Sequence, residues 1–101
     1  MAIKVRRDRG QRRTVLVISG ALDARAVPSL RRALVKALRT KEPILIDLTQ
    51  TMSIHRDGLT TLVAAYRHAE RTGAQLLLRT KRTQLDDLLA AFGIRPEDPH
   101  L

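Results

Sequence analysis

The residues best suited to chemistry lie together in one stretch, His55-Arg56-Asp57-Gly58-Leu59, where an imidazole, a guanidinium and a carboxylate immediately precede an apolar, periodic segment. If that segment is a helix, its first backbone N–H groups and the positive end of its dipole lie beside these side chains, and such an end favours negative charge. The stretch is therefore expected to bind something acidic. Catalysis is harder to assemble. The chain has neither a Gly-x-Gly-x-x-Gly stretch nor a Gly-x-x-x-x-Gly-Lys loop, so the common phosphate cradles are missing. Ser19, Ser29 and Ser53 lack a Gly-x-Ser-x-Gly elbow. His55, His68 and His100 are not spaced i, i+4, and a chain without cysteine has no thiolate nucleophile and no cysteine-based metal site. Asp86 and Asp87 are adjacent, so on a helix they project in different directions and read as solvated or capping groups. The reading is a non-enzyme with no cofactor and no metal.

The elements that must position this stretch follow from periodicity. Residues 3 to 7 alternate apolar and basic, turn chemistry follows at Asp8-Arg9-Gly10-Gln11, and Thr14 to Ile18 is a β-branched run ending at Ser19-Gly20. This pattern predicts a β-hairpin whose second strand is buried on both faces. From Ala24 to Arg39, Val27, Leu30, Leu34 and Leu38 recur at spacings of three and four, which predicts an amphipathic helix with Pro28 in its first turn. After the break at Lys41-Glu42-Pro43, Ile44 to Leu48 reads as a buried central strand and Thr49 to Arg56 as a polar loop. A second helix is expected over residues 57 to 71, with Leu59, Leu62, Val63, Tyr66 and Ala69 on its inner side, Asp57 as its cap and Gly73 as its stop. A strand over 75 to 79 and a third helix over 83 to 92, carrying Leu85, Leu88, Leu89 and Phe92 and stopped by Gly93, complete a ββαβαβα order. Strands alternating with helices predict an α/β fold: a mostly parallel central sheet with an antiparallel hairpin at its start and helices packed against it. One domain over residues 1 to 101 is expected, its core spanning about 3 to 94, with a short tail at 95 to 101.

Composition narrows the partners. With 44% hydrophobic residues but only Tyr66 and Phe92 as aromatics, the core must be aliphatic, and the stacking platforms of single-strand nucleic-acid binders are missing. The formal charge is +9, and residues 1 to 13, with six Lys or Arg against one Asp, carry +5 of it. A solvated basic hairpin, weakly attracted to polyanions but without base-specific readout, is the expectation. No apolar run approaches the length of a membrane span, and the missing cysteines suit a reducing, cytoplasmic setting.

Taken in order, these features resemble the STAS domain of anti-sigma factor antagonists over roughly residues 3 to 94. The resemblance is carried by the ββαβαβα order, by Gly20-Ala21-Leu22-Asp23 beside the family's Gly-Glu-Leu-Asp turn, by the Ile44 to Leu48 strand, by Gly58-Leu59 and by the closing Phe92-Gly93-Ile94. It implies binding, not catalysis: members dock on an anti-sigma factor kinase, and phosphorylation of a serine just before the Gly-Leu pair releases them. The family pattern Asp-Ser-Ser-Gly-Leu is replaced here by His55-Arg56-Asp57-Gly58-Leu59, which puts Asp57 at the phosphoacceptor. A carboxylate offers less charge and fewer acceptor oxygens than the roughly −1.5 to −2 and three oxygens of a phosphoserine. Asp57 thus stands as an incomplete phosphomimic or as a simple helix cap, with Thr60 and Thr61 as substitute acceptors. The resemblance implies a regulatory module that contacts an anti-sigma factor or related partner through the loop and helix starting near residue 53, with Leu22, Asp23 and residues 55 to 61 as its site residues. The alternative is an accessory or scaffold STAS subunit of a lipid-transport or signalling assembly, with its basic hairpin toward an anionic surface.

Overall fold

The computed structural model describes residues 1–81 and 83–94. The tail expected at 95 to 101, with His100, lies outside the described residues. The chain forms strand β1 (Ala2–Asp8), strand β2 (Arg13–Leu22), a 3-10 turn (Ala24–Ala26), helix α1 (Val27–Arg39), strand β3 (Ile44–Ile54), helix α2 (Arg56–Thr72), strand β4 (Leu76–Arg79) and helix α3 (Thr83–Ala91). The four strands pair in sequence order, β1 to β2 antiparallel and the rest parallel. The ββαβαβα order and the mixed sheet are therefore as expected.

Register explains where the core sits. Leu16, Ile46 and Leu78 are aligned across β2, β3 and β4, and with Ile18, Ile44, Leu48 and Leu76 they join one cluster with Leu30 and Leu34 of α1, Leu62 and Val63 of α2 and Leu89 of α3. On the opposite face of β2, Val15 is as fully buried as Leu16, in keeping with a strand enclosed on both sides. Pro28 stands in the first turn of α1, where its missing N–H removes no helical hydrogen bond. Gly73 ends α2 at φ 75°, a left-handed geometry that suits a residue with no Cβ. On α3 the expected apolar set divides: Leu89 is fully buried, but Leu88 and Phe92 are each 43% exposed. A helix that packs only one narrow side leaves the rest of its apolar residues in water.

The largest departure is at β3. Residues 49 to 54, expected as part of a polar loop, continue the strand to eleven residues, and β2 likewise runs on past Gly20 to Leu22. The two extensions pair with each other: Ser19 opposes Gln50, Gly20 opposes Thr51, Ala21 opposes Ser53 and Leu22 opposes Ile54, with register irregularities on either side of Ser19-Gly20. Thr49 and Thr51 are β-branched and fit a pleated strand despite their polarity. The buried Thr51 hydroxyl donates to the Ile18 carbonyl at 2.8 Å and so ties β3 to β2 in this region. The expected loop is reduced to a single residue, His55.

The basic hairpin is also less solvated than expected. Arg7 is exposed and pairs with Glu42 at 3.0 Å, but Arg13, whose side chain is only 8% exposed, lies 3.5 Å from the Asp8 carboxylate. Lys4, Arg6, Arg9 and Arg12 remain on the surface.

Candidate functional site

The two parallel crossovers bring the carboxyl ends of β2 and β3 to the same end of the sheet, where ligand sites of open α/β folds form. β2 ends at Leu22 and β3 at Ile54, opposite one another, so the turn after β2 and the start of α2 must meet. A main-chain bond joins them: the His55 N–H donates to the Leu22 carbonyl at 2.9 Å. At Gly58, one turn into α2, a Cβ would lie 2.6 Å from that carbonyl oxygen and 2.7 Å from Leu22 Cγ. The helix can approach the strand end this closely because residue 58 has no side chain.

These contacts create a shallow depression of about 470 Å³ lined by Asp23, Ala24, Arg25, His55, Arg56 and Asp57. The two stretches singled out from sequence therefore converge. Asp23 is turned to a structural task, its carboxylate accepting from the Ala26 N–H at 3.2 Å to cap the 3-10 turn that leads into α1. The capping position of α2 is occupied by His55, in extended geometry and without a side-chain cap bond. Asp57 is therefore the second residue of the helix and not its cap, which corrects the sequence expectation. It is exposed in the first turn, where its charge complements the helix dipole. Leu22 and Gly58 are buried and serve the backbone junction, and Leu59 is half-buried against the core. Thr60 is exposed. The Thr61 hydroxyl donates to the Asp57 carbonyl at 2.8 Å, and its side chain lines a different concavity, between α1 and α2.

Arg25 was not singled out by sequence. Its signal is its place two residues after Asp23, in the turn that the depression shares with α2. With Arg25 included, two guanidiniums face two carboxylates around the depression, and their formal charges cancel when His55 is neutral. An acidic ligand is therefore not dictated by the side chains, and the expectation drawn from the helix end alone is not supported by the local charge. Among the described residues there is no group of three or more His, Cys, Asp or Glu that could hold a metal ion, and no helix long and apolar enough to cross a membrane.

A four-stranded mixed sheet with this connectivity, with the β2 turn docked on the first turn of α2, has the architecture of the STAS fold. Solved structures agree. The chain is similar to the anti-sigma factor antagonist SpoIIAA in its unphosphorylated form (TM-score 0.77, 17% identity, covering 96% of this chain and 88% of that one). It is also similar to an anti-sigma factor antagonist from Mycobacterium paratuberculosis (TM-score 0.75, 22% identity, 95% and 86% covered), and to the phosphorylated form of the Bacillus cell fate determinant SpoIIAA (TM-score 0.72, 14% identity, 98% and 94% covered). At these identities the likeness shows the fold. The family model described as "Mlab, STAS domain" matches residues 5–95, and the chain belongs to that family. No curated protein matches the chain.

Proposed function

We propose that the protein is a non-catalytic regulatory binding module that docks a protein partner, an anti-sigma factor or a related regulator, through the surface formed by Asp23, Arg25 and residues 55 to 61. The observation that carries this reading is the junction of Leu22 with His55 and Gly58: it brings the turn after β2 and the start of α2 together at the end of the sheet, where Arg25, His55, Arg56 and Asp57 are exposed. A surface of that kind suits recognition. It holds no nucleophile with a base beside it, as turnover would require. At the position of the family's phosphoacceptor stands Asp57, so this module carries a permanent charge in place of a switchable one.

The match to the family described as "Mlab, STAS domain" favours a second reading, an accessory STAS subunit of a larger lipid-transport or signalling assembly. Both readings use the same docking end and differ in the partner. The test is co-purification of the tagged full chain from its native cell, identification of bound proteins by mass spectrometry, and repetition with Arg56→Glu. A specific partner lost on that substitution supports a docking module, and its identity separates the readings. Retention of every partner by Arg56→Glu and Arg25→Glu together would overturn the proposed surface.

A further inference from the structure

Charge in this chain is divided by sequence position. The first 41 residues hold twelve Lys or Arg and two Asp, while the remaining 60 hold seven Lys or Arg and eight acids. Within the first part, Ala24 to Lys41 contains six cations and no carboxylate. On α1, Arg31, Arg32, Lys36 and Arg39 are all exposed, and among the described residues none is ion-paired; Arg32 only donates to the Ser29 hydroxyl at 3.2 Å. Uncompensated like charge along one helix is unfavourable by itself.

Beside this basic row runs a groove of about 460 Å³ between α1 and α2. Leu34, Leu38 and Ala65 form its apolar floor, with Val35, 44% exposed, on its α1 wall. Arg31 and Arg39 flank it on α1, and His68 on α2. The eight-residue step from Arg31 to Arg39 corresponds to about 12 Å of helix, or roughly two turns of a bound segment. Thr61, bonded to the Asp57 carbonyl, stands in the groove wall one turn beyond the docking end, so the groove is continuous with that surface.

The geometry points to an acidic, amphipathic segment of a protein partner as the occupant, its apolar side chains in the groove and its carboxylates toward Arg31, Arg39 and His68. Helix-in-groove recognition has this form, with affinity from the apolar floor and orientation from the charged rim. A bilayer or a nucleic-acid duplex would meet the outward cations but could not enter a crease between two helices. A second copy of the chain would bring its own basic row against this one. The inference does not rest on the depression around Asp57, because every residue that lines the groove lies outside it.

The test uses the full chain and a synthetic 14-residue amphipathic peptide with a leucine stripe flanked by glutamates. Controls are the same peptide with lysines for glutamates, phosphatidylglycerol vesicles and a short DNA duplex. Fluorescence anisotropy should show binding of the glutamate peptide, weakening as salt rises. Amide shifts in NMR spectra should concentrate at Val35, Leu38, Ala65 and His68. The double variant Arg31→Glu/Arg39→Glu should lose roughly tenfold or more in affinity while melting like wild type, because both residues are exposed, and should gain binding to the lysine peptide. Asp57→Ser should leave peptide binding unchanged, which separates this groove from the docking surface. The inference is overturned if the two peptides bind wild type equally, if shifts fall outside the groove, if the glutamate peptide does not bind, or if only vesicles or DNA engage these residues.

Discussion

A Cβ at Gly58 of α2 would lie 2.6 Å from the carbonyl oxygen of Leu22 at the end of β2, and that same carbonyl accepts the N–H of His55. Strand end and helix start thus meet at one carbonyl, and the exposed residues of the proposed docking surface are placed by that junction. A methyl group at position 58 would press on a carbonyl oxygen and a buried leucine, neither of which can swing away. Gly58→Ala should therefore destabilise the domain by about 1 to 3 kcal/mol, as overpacking does. Gly73→Ala is the contrast: nothing lies within 4 Å of a Cβ there, and only the left-handed geometry opposes it, at about 1 kcal/mol. Urea denaturation of the two variants, with amide shifts at residues 22 to 25 and 55 to 57, checks this. Displaced docking residues are expected in Gly58→Ala alone.

The Thr51 hydroxyl, buried between β3 and β2, should be needed for the long strand pair that carries His55 to its place. Thr51→Val keeps the shape and β-branching but leaves the Ile18 carbonyl with one acceptor site unfilled. A loss of about 1 kcal/mol is expected in chemical denaturation, with the slope unchanged. No loss would mean that the strand extension is held by its backbone ladder alone.

That extension is also where sequence reading stops. Val15 to Ile18 and Ile44 to Leu48 declare themselves by their own apolar character, and the Leu30 and Leu34 rows by their period. Thr49 to Ser53 is polar and reads as loop because what makes it a strand lies about thirty residues away, in the continuation of β2 past Gly20. The capping of α2 fails for a different reason: His55 and Asp57 are two residues apart, and local composition favours the aspartate, whereas the joint with Leu22 selects the histidine. The helical period also sets Arg31, Arg32, Lys36 and Arg39 largely off the apolar stripe of α1, but it does not show what lies beside them. Arg31, Val35 and Arg39 become one side of a groove only when α2 is set beside them. Arg25 entered the site through the turn that Asp23 caps, which no periodicity marks.

The two hairpin ion pairs should differ in energetic weight although both join an arginine to a carboxylate. Arg7, 58% exposed, gains little from Glu42 in water, so Arg7→Ala should change stability by less than about 1 kcal/mol and by less still at high salt. Arg13 is buried on β2 with its guanidinium toward Asp8, and its removal takes away packed methylenes and leaves the carboxylate without its cation. Arg13→Ala should lose about 1 to 3 kcal/mol. Thermal melts of both variants at low and high salt decide between this ranking and a hairpin of uniformly solvated cations.

Asp57 tests the regulatory reading most directly. It is exposed in the first turn of α2 and caps nothing, so its removal has little structural consequence. Asp57→Ser should shift stability by no more than about 0.5 kcal/mol, the share of one solvated charge in the helix dipole. If the carboxylate acts as a standing imitation of phosphoserine, the native module is held in a weakly binding state. The serine variant then removes a charge that a partner adapted to the unmodified hydroxyl leaves poorly paired. Affinity for the identified partner should rise by about 1 to 3 kcal/mol, roughly five- to 150-fold. Asp57→Asn separates charge from hydroxyl: it should tighten binding like serine if charge alone is inhibitory, and only serine should become a kinase substrate. Calorimetric titration of wild type, Asp57→Ser and Asp57→Asn against that partner provides the measurement. Equal affinity in all three would end the phosphomimic reading and leave the docking surface to be judged by the Arg25 and Arg56 variants.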